Sequence, residues 1–261
     1  MKLLQIGIVG CGAIGGYLAR AIQRDFSARA RLRAVCDVER KNAEALNRRL
    51  AKRAKVVCLD ALIAVCDLVI EAASANASAD IVVRCVAAKK DVLVMSVGGL
   101  LGREDIFARA RRRGVSIYLP SGAVVGLDGL RAAAETKIKS VRLTTRKPLK
   151  SLPQRFGNIR KETVIFQGTA KAAIKKFPRN INVAVTLSLT GLGAQKTRVR
   201  IIADPRCRRN THEIEIISDA ARIWARAENL PLPDNTKTSR LAALSAVAVL
   251  RQIFDSVKIG T

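Results

Sequence analysis

One glycine-punctuated hexapeptide near the N-terminus constrains this chain more than any other feature. Gly10-Cys11-Gly12-Ala13-Ile14-Gly15 follows directly on a continuous apolar run, Leu3 to Val9. Behind it Tyr17, Leu18, Ala21, Ile22 and Phe26 repeat at helical spacing. An apolar run without polar alternation suits a strand buried on both faces of a parallel sheet. Glycine at 10 permits a tight turn, at 12 a close approach by a ligand, and at 15 close packing of helix on strand. The N–H groups at the helix start, Ala13 and Ile14, then face an anion. In this strand–turn–helix setting the motif predicts a dinucleotide pyrophosphate held at Gly10, Gly12, Ala13, Ile14 and Gly15. Asp37 ends the next strand, Leu32 to Cys36. It stands about 20 residues beyond the last glycine, where a carboxylate accepts hydrogen bonds from ribose hydroxyls. That acid favours NAD. Arg40 lies close enough in sequence to meet a 2′-phosphate, so the predicted cofactor is NAD or NADP.

Strands and helices keep alternating after the motif. A basic helix spans Arg40 to Arg53, and strands fall at Val56-Val57, Asp67 to Ala72, Val92 to Met95 and Val115 to Leu119. Helices cover Ala77 to Ala88 and Glu104 to Arg113, the latter stopped by Gly114. This rhythm predicts a doubly wound α/β sheet, an N-terminal Rossmann unit over residues 1–120. After Pro120 the pattern changes. Ser121-Gly122-Ala123 opens a short helix. Alternating segments then run Ser140 to Thr145, Thr197 to Ala203, His212 to Ile216 and Arg222 to Ala227. In the first, Val141, Leu143 and Thr145 face one way and Arg142, Thr144 and Arg146 the other, the mark of a sheet with one wet face. Asn180 to Leu189 is read as a helix, and Ser239 to Phe254 as another. The prediction for 121–235 is therefore a second α/β unit built on a mixed sheet.

Composition excludes several classes. At 49% hydrophobic residues the 261-residue chain can bury a core, so disorder is not its main state. The most apolar stretch, Val56 to Ala73, is broken by Asp60, Asp67 and Glu71, so no membrane span is expected. Leu3 to Val9 reads as a strand rather than as the apolar part of a signal peptide. The six cysteines form no C-x-x-C pair. They read as buried small hydrophobes in a reducing compartment, which predicts a cytoplasmic protein. Cys207, among arginines, is the one thiol whose thiolate is expected to be favoured. With one histidine and no paired cysteines, no metal site is expected. Lys and Arg number 47 against 21 Asp and Glu, a formal charge of +26. Scattered basic residues and only 3% aromatics argue against sequence-specific nucleic-acid binding. Nonspecific binding to polyanions at low salt is expected instead.

The single imidazole is His212, in Asn210-Thr211-His212-Glu213-Ile214. From the residues alone an ordinary surface or core histidine is the default, with a catalytic base the alternative. Asn180 and Asn182, in Phe177-Pro178-Arg179-Asn180-Ile181-Asn182-Val183-Ala184, fit a nicotinamide carboxamide or a helix cap equally well.

These segments together resemble the L-aspartate dehydrogenases of the NAD-biosynthesis type. The resemblance spans nearly the whole chain. It rests on the glycine motif, Ser121-Gly122-Ala123-Val124-Val125-Gly126-Leu127-Asp128-Gly129, the Phe177 to Ala184 stretch, Asp204-Pro205, the segment around His212, and Lys237-Thr238-Ser239 running into Leu241 to Ala246. It implies a catalytic His212, with Ala123 and Asn182 contacting the cofactor and Asn180 beside them. It also implies that residues 236–261 return to the Rossmann unit, that the substrate is L-aspartate, and that the protein is a homodimer. Hydride would pass from the aspartate α-carbon to nicotinamide C4. The iminoaspartate product would hydrolyse to oxaloacetate and ammonia or feed NAD synthesis. Two readings stand beside it: another enzyme on this fold, of homoserine dehydrogenase or dihydrodipicolinate reductase type, and a non-catalytic NAD-binding or nucleic-acid-associated basic protein. The chain departs from the family pattern at Ser218-Asp219-Ala220-Ala221, where a glycine turn is expected. It departs again at Asn235-Thr236-Lys237, where Asn-Pro-Lys is expected, and in its high charge.

Overall fold

The computed structural model describes residues 2–177, 182–233 and 235–260. The chain divides into two compact units: residues 1–120 with 245–256, and residues 121–244 with 257–261.

In the first unit the elements run β1 (Leu4–Val9), α1 (Ala13–Asp25), β2 (Ala30–Cys36), α2 (Arg40–Arg48), β3 (Lys55–Val56), α3 (Leu59–Val65), β4 (Leu68–Glu71), α4 (Ala75–Ala87), β5 (Asp91–Val94), α5 (Glu104–Arg113) and β6 (Ile117–Tyr118). The six strands pair in the order β3-β2-β1-β4-β5-β6 and every pair is parallel. That order is the Rossmann arrangement, and its reversal between β1 and β4 opens the crevice beyond the strand ends where nucleotides bind. Continuous apolar runs were needed because both faces are covered. Ile6, Ile8, Leu68, Ile70 and Leu93 enter one core with Leu18 and Ile22 of α1. Val9, Val69, Val92 and Val94 enter the other with Leu62, Ile81 and Ile106 of the opposite helices. Each fully buried branched side chain contributes about 1.5–3 kcal/mol.

The second unit contains α6 (Leu127–Ala134), β7 (Ile138–Lys147), β8 (Thr163–Thr169), α7 (Ala170–Lys176), α8 (Asn182–Thr190), β9 (Arg198–Ala203), β10 (Asn210–Ser218), β11 (Arg222–Asn229), β12 (Pro231–Leu232) and β13 (Asn235–Ser239). Its five-stranded sheet has the order β11-β10-β7-β9-β8. Only β7 and β9 run parallel, so the sheet is mixed. Val141, Leu143, Val199, Ile201, Ile214 and Ile216 face a core shared with Leu130 of α6, Ala173 of α7 and Leu187 of α8. The final helix, α9 (Arg240–Phe254), places Ala246 and Leu250 in the core of the first unit. Residues 236–244 and 257–260, expected with the first unit, count with the second. For the first of these segments the reason is local: β13 pairs with β12.

Several local expectations are corrected. No helix starts at Ser121; Gly122 (φ 70°) and Gly126 (φ 85°) are left-handed, and the helix begins only at Leu127. The basic helix ends at Arg48 rather than Arg53. There the Asn47 side chain turns the chain by bonding both backbone groups of Ala54, at 3.0 and 2.8 Å. The short helix α3, the edge strand β8 and α7 lacked a clear sequence signal. Thr169 caps α7, its hydroxyl accepting from the Ala172 N–H at 3.2 Å. At 218–221 serine replaces the expected glycine: Ser218 Oγ accepts from the N–H groups of Ala220 and Ala221, at 3.2 and 3.0 Å. This closes the β10–β11 hairpin without a left-handed residue. Cys58 is exposed, unlike the buried Cys36, Cys66 and Cys85, and all six cysteines are free thiols.

Candidate active site

The dinucleotide cradle of the first unit follows from its glycines. Gly10 adopts φ 95°, and a side chain there would strike the Ala72 backbone. A Cβ on Gly15 would strike the Gly10 carbonyl oxygen, so strand and helix meet closely only because both are glycine. Over Gly12 lies open space. No side chain caps α1 at Gly12. The N–H groups of Ala13, Ile14 and Gly15 thus form an uncapped helix start, suited to a pyrophosphate. Asp37 Oδ2 accepts from the Cys11 N–H at 2.7 Å, and Oδ1 from the Glu39 N–H at 3.0 Å. The acid therefore ties the glycine loop to the end of β2 and leaves carboxylate lone pairs for ribose hydroxyls. The predicted cofactor residues of this unit are gathered at one strand end. Arg40 is exposed and paired with Glu44 at 2.9 Å. Burial pushes the Cys11 thiol up to about 12, so it stays neutral beside the loop.

Glu71 is a part of this cradle that the sequence did not reveal. It is fully buried at the end of β4. Its carboxylate accepts from the Ala73 N–H at 2.8 Å and the Ser96 N–H at 2.9 Å. Burial raises its pKa, and these hydrogen bonds oppose the rise. It fixes the loop that forms the wall against Gly10.

In the second unit His212 sits on β10, directly opposite Thr145 of β7. Its Nδ1 lies 3.0 Å from Thr145 Oγ1. With Nδ1–H donating to that hydroxyl, the Nε2 lone pair is free to take a proton. His212 is half-buried. Burial first, and the Lys147 charge second, lower its pKa to about 3. Lys147 lies two residues beyond Thr145 on the same face of β7 and is only 5% exposed. Burial lowers its pKa to about 8. Ala123 is buried, and its carbonyl accepts from Asn229 Nδ2 at 3.1 Å. Asn229 Oδ1 in turn accepts from the Ser239 hydroxyl at 2.7 Å. Asn229 lies two residues along β11 from Ala227, which pairs with His212. Asn182 opens α8, its carbonyl accepting from the Thr186 hydroxyl at 2.9 Å. Asn180 lies outside the described residues. Thr145, Lys147 and Asn229 escaped sequence reasoning. The apolar phase Val141, Leu143, Thr145 leads straight to Lys147, and that was the available signal. Among the described residues no three His, Cys, Asp or Glu side chains gather as a metal site would require.

A Rossmann sheet with an uncapped glycine cradle and an acid at the end of its second strand, followed by a mixed sheet carrying a half-buried imidazole, defines a nicotinamide-dependent dehydrogenase. The comparisons narrow this class. The family model for the NAD binding domain of homoserine dehydrogenase matches residues 10–120. The model for the C-terminal domain of aspartate dehydrogenase matches residues 128–253. The L-aspartate dehydrogenase of Methanosarcina mazei is 44% identical, covering 99% of this chain and 100% of that protein. The crystal structure of aspartate dehydrogenase from Thermotoga maritima superposes with a TM-score of 0.77 at 27% identity, covering 99% of this chain and 100% of that one. A homoserine dehydrogenase from Thiobacillus denitrificans shares the fold, with a TM-score of 0.65 at 14% identity over 97% of this chain and 73% of that one. The chain belongs to the L-aspartate dehydrogenase family.

Proposed function

We propose that this protein oxidises L-aspartate to iminoaspartate with NAD or NADP, and that His212 is its catalytic base. The observation that carries the reading is the chain's only imidazole, held through Nδ1 by Thr145 across the β7–β10 pair, in a member of this family. Hydride leaves a carbon bearing an amine only when nitrogen can supply its lone pair, so the bound ammonium must first lose a proton. His212 Nε2 takes it, and Thr145 holds the ring in the tautomer that can. Nicotinamide, when bound, accepts the hydride. Gly10, Gly12, Ala13, Ile14, Gly15 and Asp37 would hold its dinucleotide, and the family resemblance adds Ala123 and Asn182 as cofactor contacts. Iminoaspartate then hydrolyses to oxaloacetate and ammonia or enters NAD biosynthesis. Mixing the protein with L-aspartate and NAD should raise absorbance at 340 nm. Turnover of homoserine and not of aspartate would overturn the assignment.

The reading extends to a homodimer, supported by family membership, and to the cytoplasm, supported by six unpaired thiols. No helix among the described residues is long and apolar enough to cross a membrane. The +26 charge should give sequence-indifferent DNA binding at about 50 mM salt that falls steeply by about 200 mM, read by a gel shift. Tight, sequence-selective binding at the higher salt would favour a nucleic-acid function.

A further inference from the structure

We infer that Lys147 binds a carboxylate of the dicarboxylate substrate beside His212. The inference rests on the catalytic reading of His212 and names a partner for the substrate that the sequence, with its many basic residues, did not single out. Among the described residues Lys147 is the one lysine or arginine that is buried. Its strand places it on the same face as Thr145 and diagonal to His212 across the β7–β10 pair. Diagonal neighbours have Cα atoms roughly 7–8 Å apart, within reach of a long side chain. A substrate whose α-nitrogen meets the imidazole carries carboxylates one and two carbons from the reacting carbon. Either lies within the span between these two side chains.

A cleft of about 320 Å³ lies beyond the ends of these strands and is lined by Pro148, Lys150, Arg208, Arg209 and Asn210 among others, not by Lys147 or His212 themselves. The backbone of Asp204 donates to the Lys147 carbonyl at 3.0 Å, but its carboxylate is engaged by Arg146 at 3.2 Å and by the Arg206 N–H at 2.9 Å. The helix α8 carries no charged side chain, and Asp128, Arg131, Lys171, Lys175 and Lys176 of α6 and α7 are exposed. Among the described residues His212 is a titratable group that feels the Lys147 charge. A carboxylate on Lys147 also offsets that charge, which after burial is the second cause of the low imidazole pKa. The base gains proton affinity when substrate is in place.

Succinate, a dicarboxylate that cannot react, separates binding from chemistry. With saturating NADH, Lys147→Met should weaken succinate and raise the KM for aspartate roughly 10–100-fold, the loss of one charge-assisted hydrogen bond. The kcat should change less than about tenfold and NADH affinity should hold. Lys147→Arg, which keeps the charge, should retain part of the binding. Wild-type protein gives a test without a variant. Succinate affinity should be level near pH 7 and fall above about 8, as the ammonium loses its proton. Succinate is a dianion throughout that range, so its own titration does not enter. Unchanged succinate binding in Lys147→Met, or wild-type affinity constant to pH 9.5, would overturn the inference. His212→Ala with full turnover would remove the catalytic reading, and the succinate results would still judge Lys147 separately.

Discussion

Replacing His212 by Ala is expected to lower kcat for aspartate oxidation roughly 10²–10⁴-fold, the usual contribution of one positioned acid–base group. No other histidine exists to substitute. The cofactor cradle belongs to other residues, so NADH affinity should hardly change. The pH profile sharpens the expectation. A pKa lowered to about 3 keeps the imidazole in its basic, neutral form at every higher pH. The wild-type kcat/KM, which reports the free enzyme, should therefore pass through pH 6.5 without the loss an exposed histidine would cause. Two substrate carboxylates favour imidazolium. The acid limb of kcat, which reports the complex, should lie at higher pH than that of kcat/KM. Both limbs should disappear in the variant. A mutant with near-normal kcat and an unchanged acid limb would remove His212 from the chemistry.

Asp37→Ala should weaken NAD binding roughly 10–150-fold, since hydrogen bonds to a charged acceptor contribute about 1.5–3 kcal/mol. Two losses combine. The ribose hydroxyls lose their acceptor, and the glycine loop loses the 2.7 Å bond from the Cys11 N–H that ties it to β2. NADP should suffer less, because the carboxylate that is removed also repels a 2′-phosphate. Titration of nicotinamide fluorescence with each reduced cofactor measures both affinities. Equal weakening of the two would mean that Asp37 supports the loop and does not read the ribose.

Much of the first unit was legible because its signals are local. A strand buried on both faces must be apolar throughout, Gly15 is demanded by a contact within the same strand–turn–helix, and Gly10 by its own left-handed turn. Thus the glycine turn and the parallel sheet could be read directly. The turn at 121–126 was misread because its left-handed glycines only declare themselves in backbone angles. The edge strand β8, half-buried with an irregular pattern, gave no period to follow.

The second site required tertiary structure. His212 and Thr145 lie 67 residues apart, and only the β7–β10 register sets them face to face. A lone histidine in a sequence carries no statement of its burial, and burial is what lowers its pKa. Lys147 shows the same division. Continuing the alternation of β7 past Thr145 would put it on the inner face, but a lysine in the core phase reads as a strand end until packing closes over it. Local chemistry thus determined the fold class and the cofactor motif. Which polar side chains meet, and in what dielectric, was decided by strand pairing at long range.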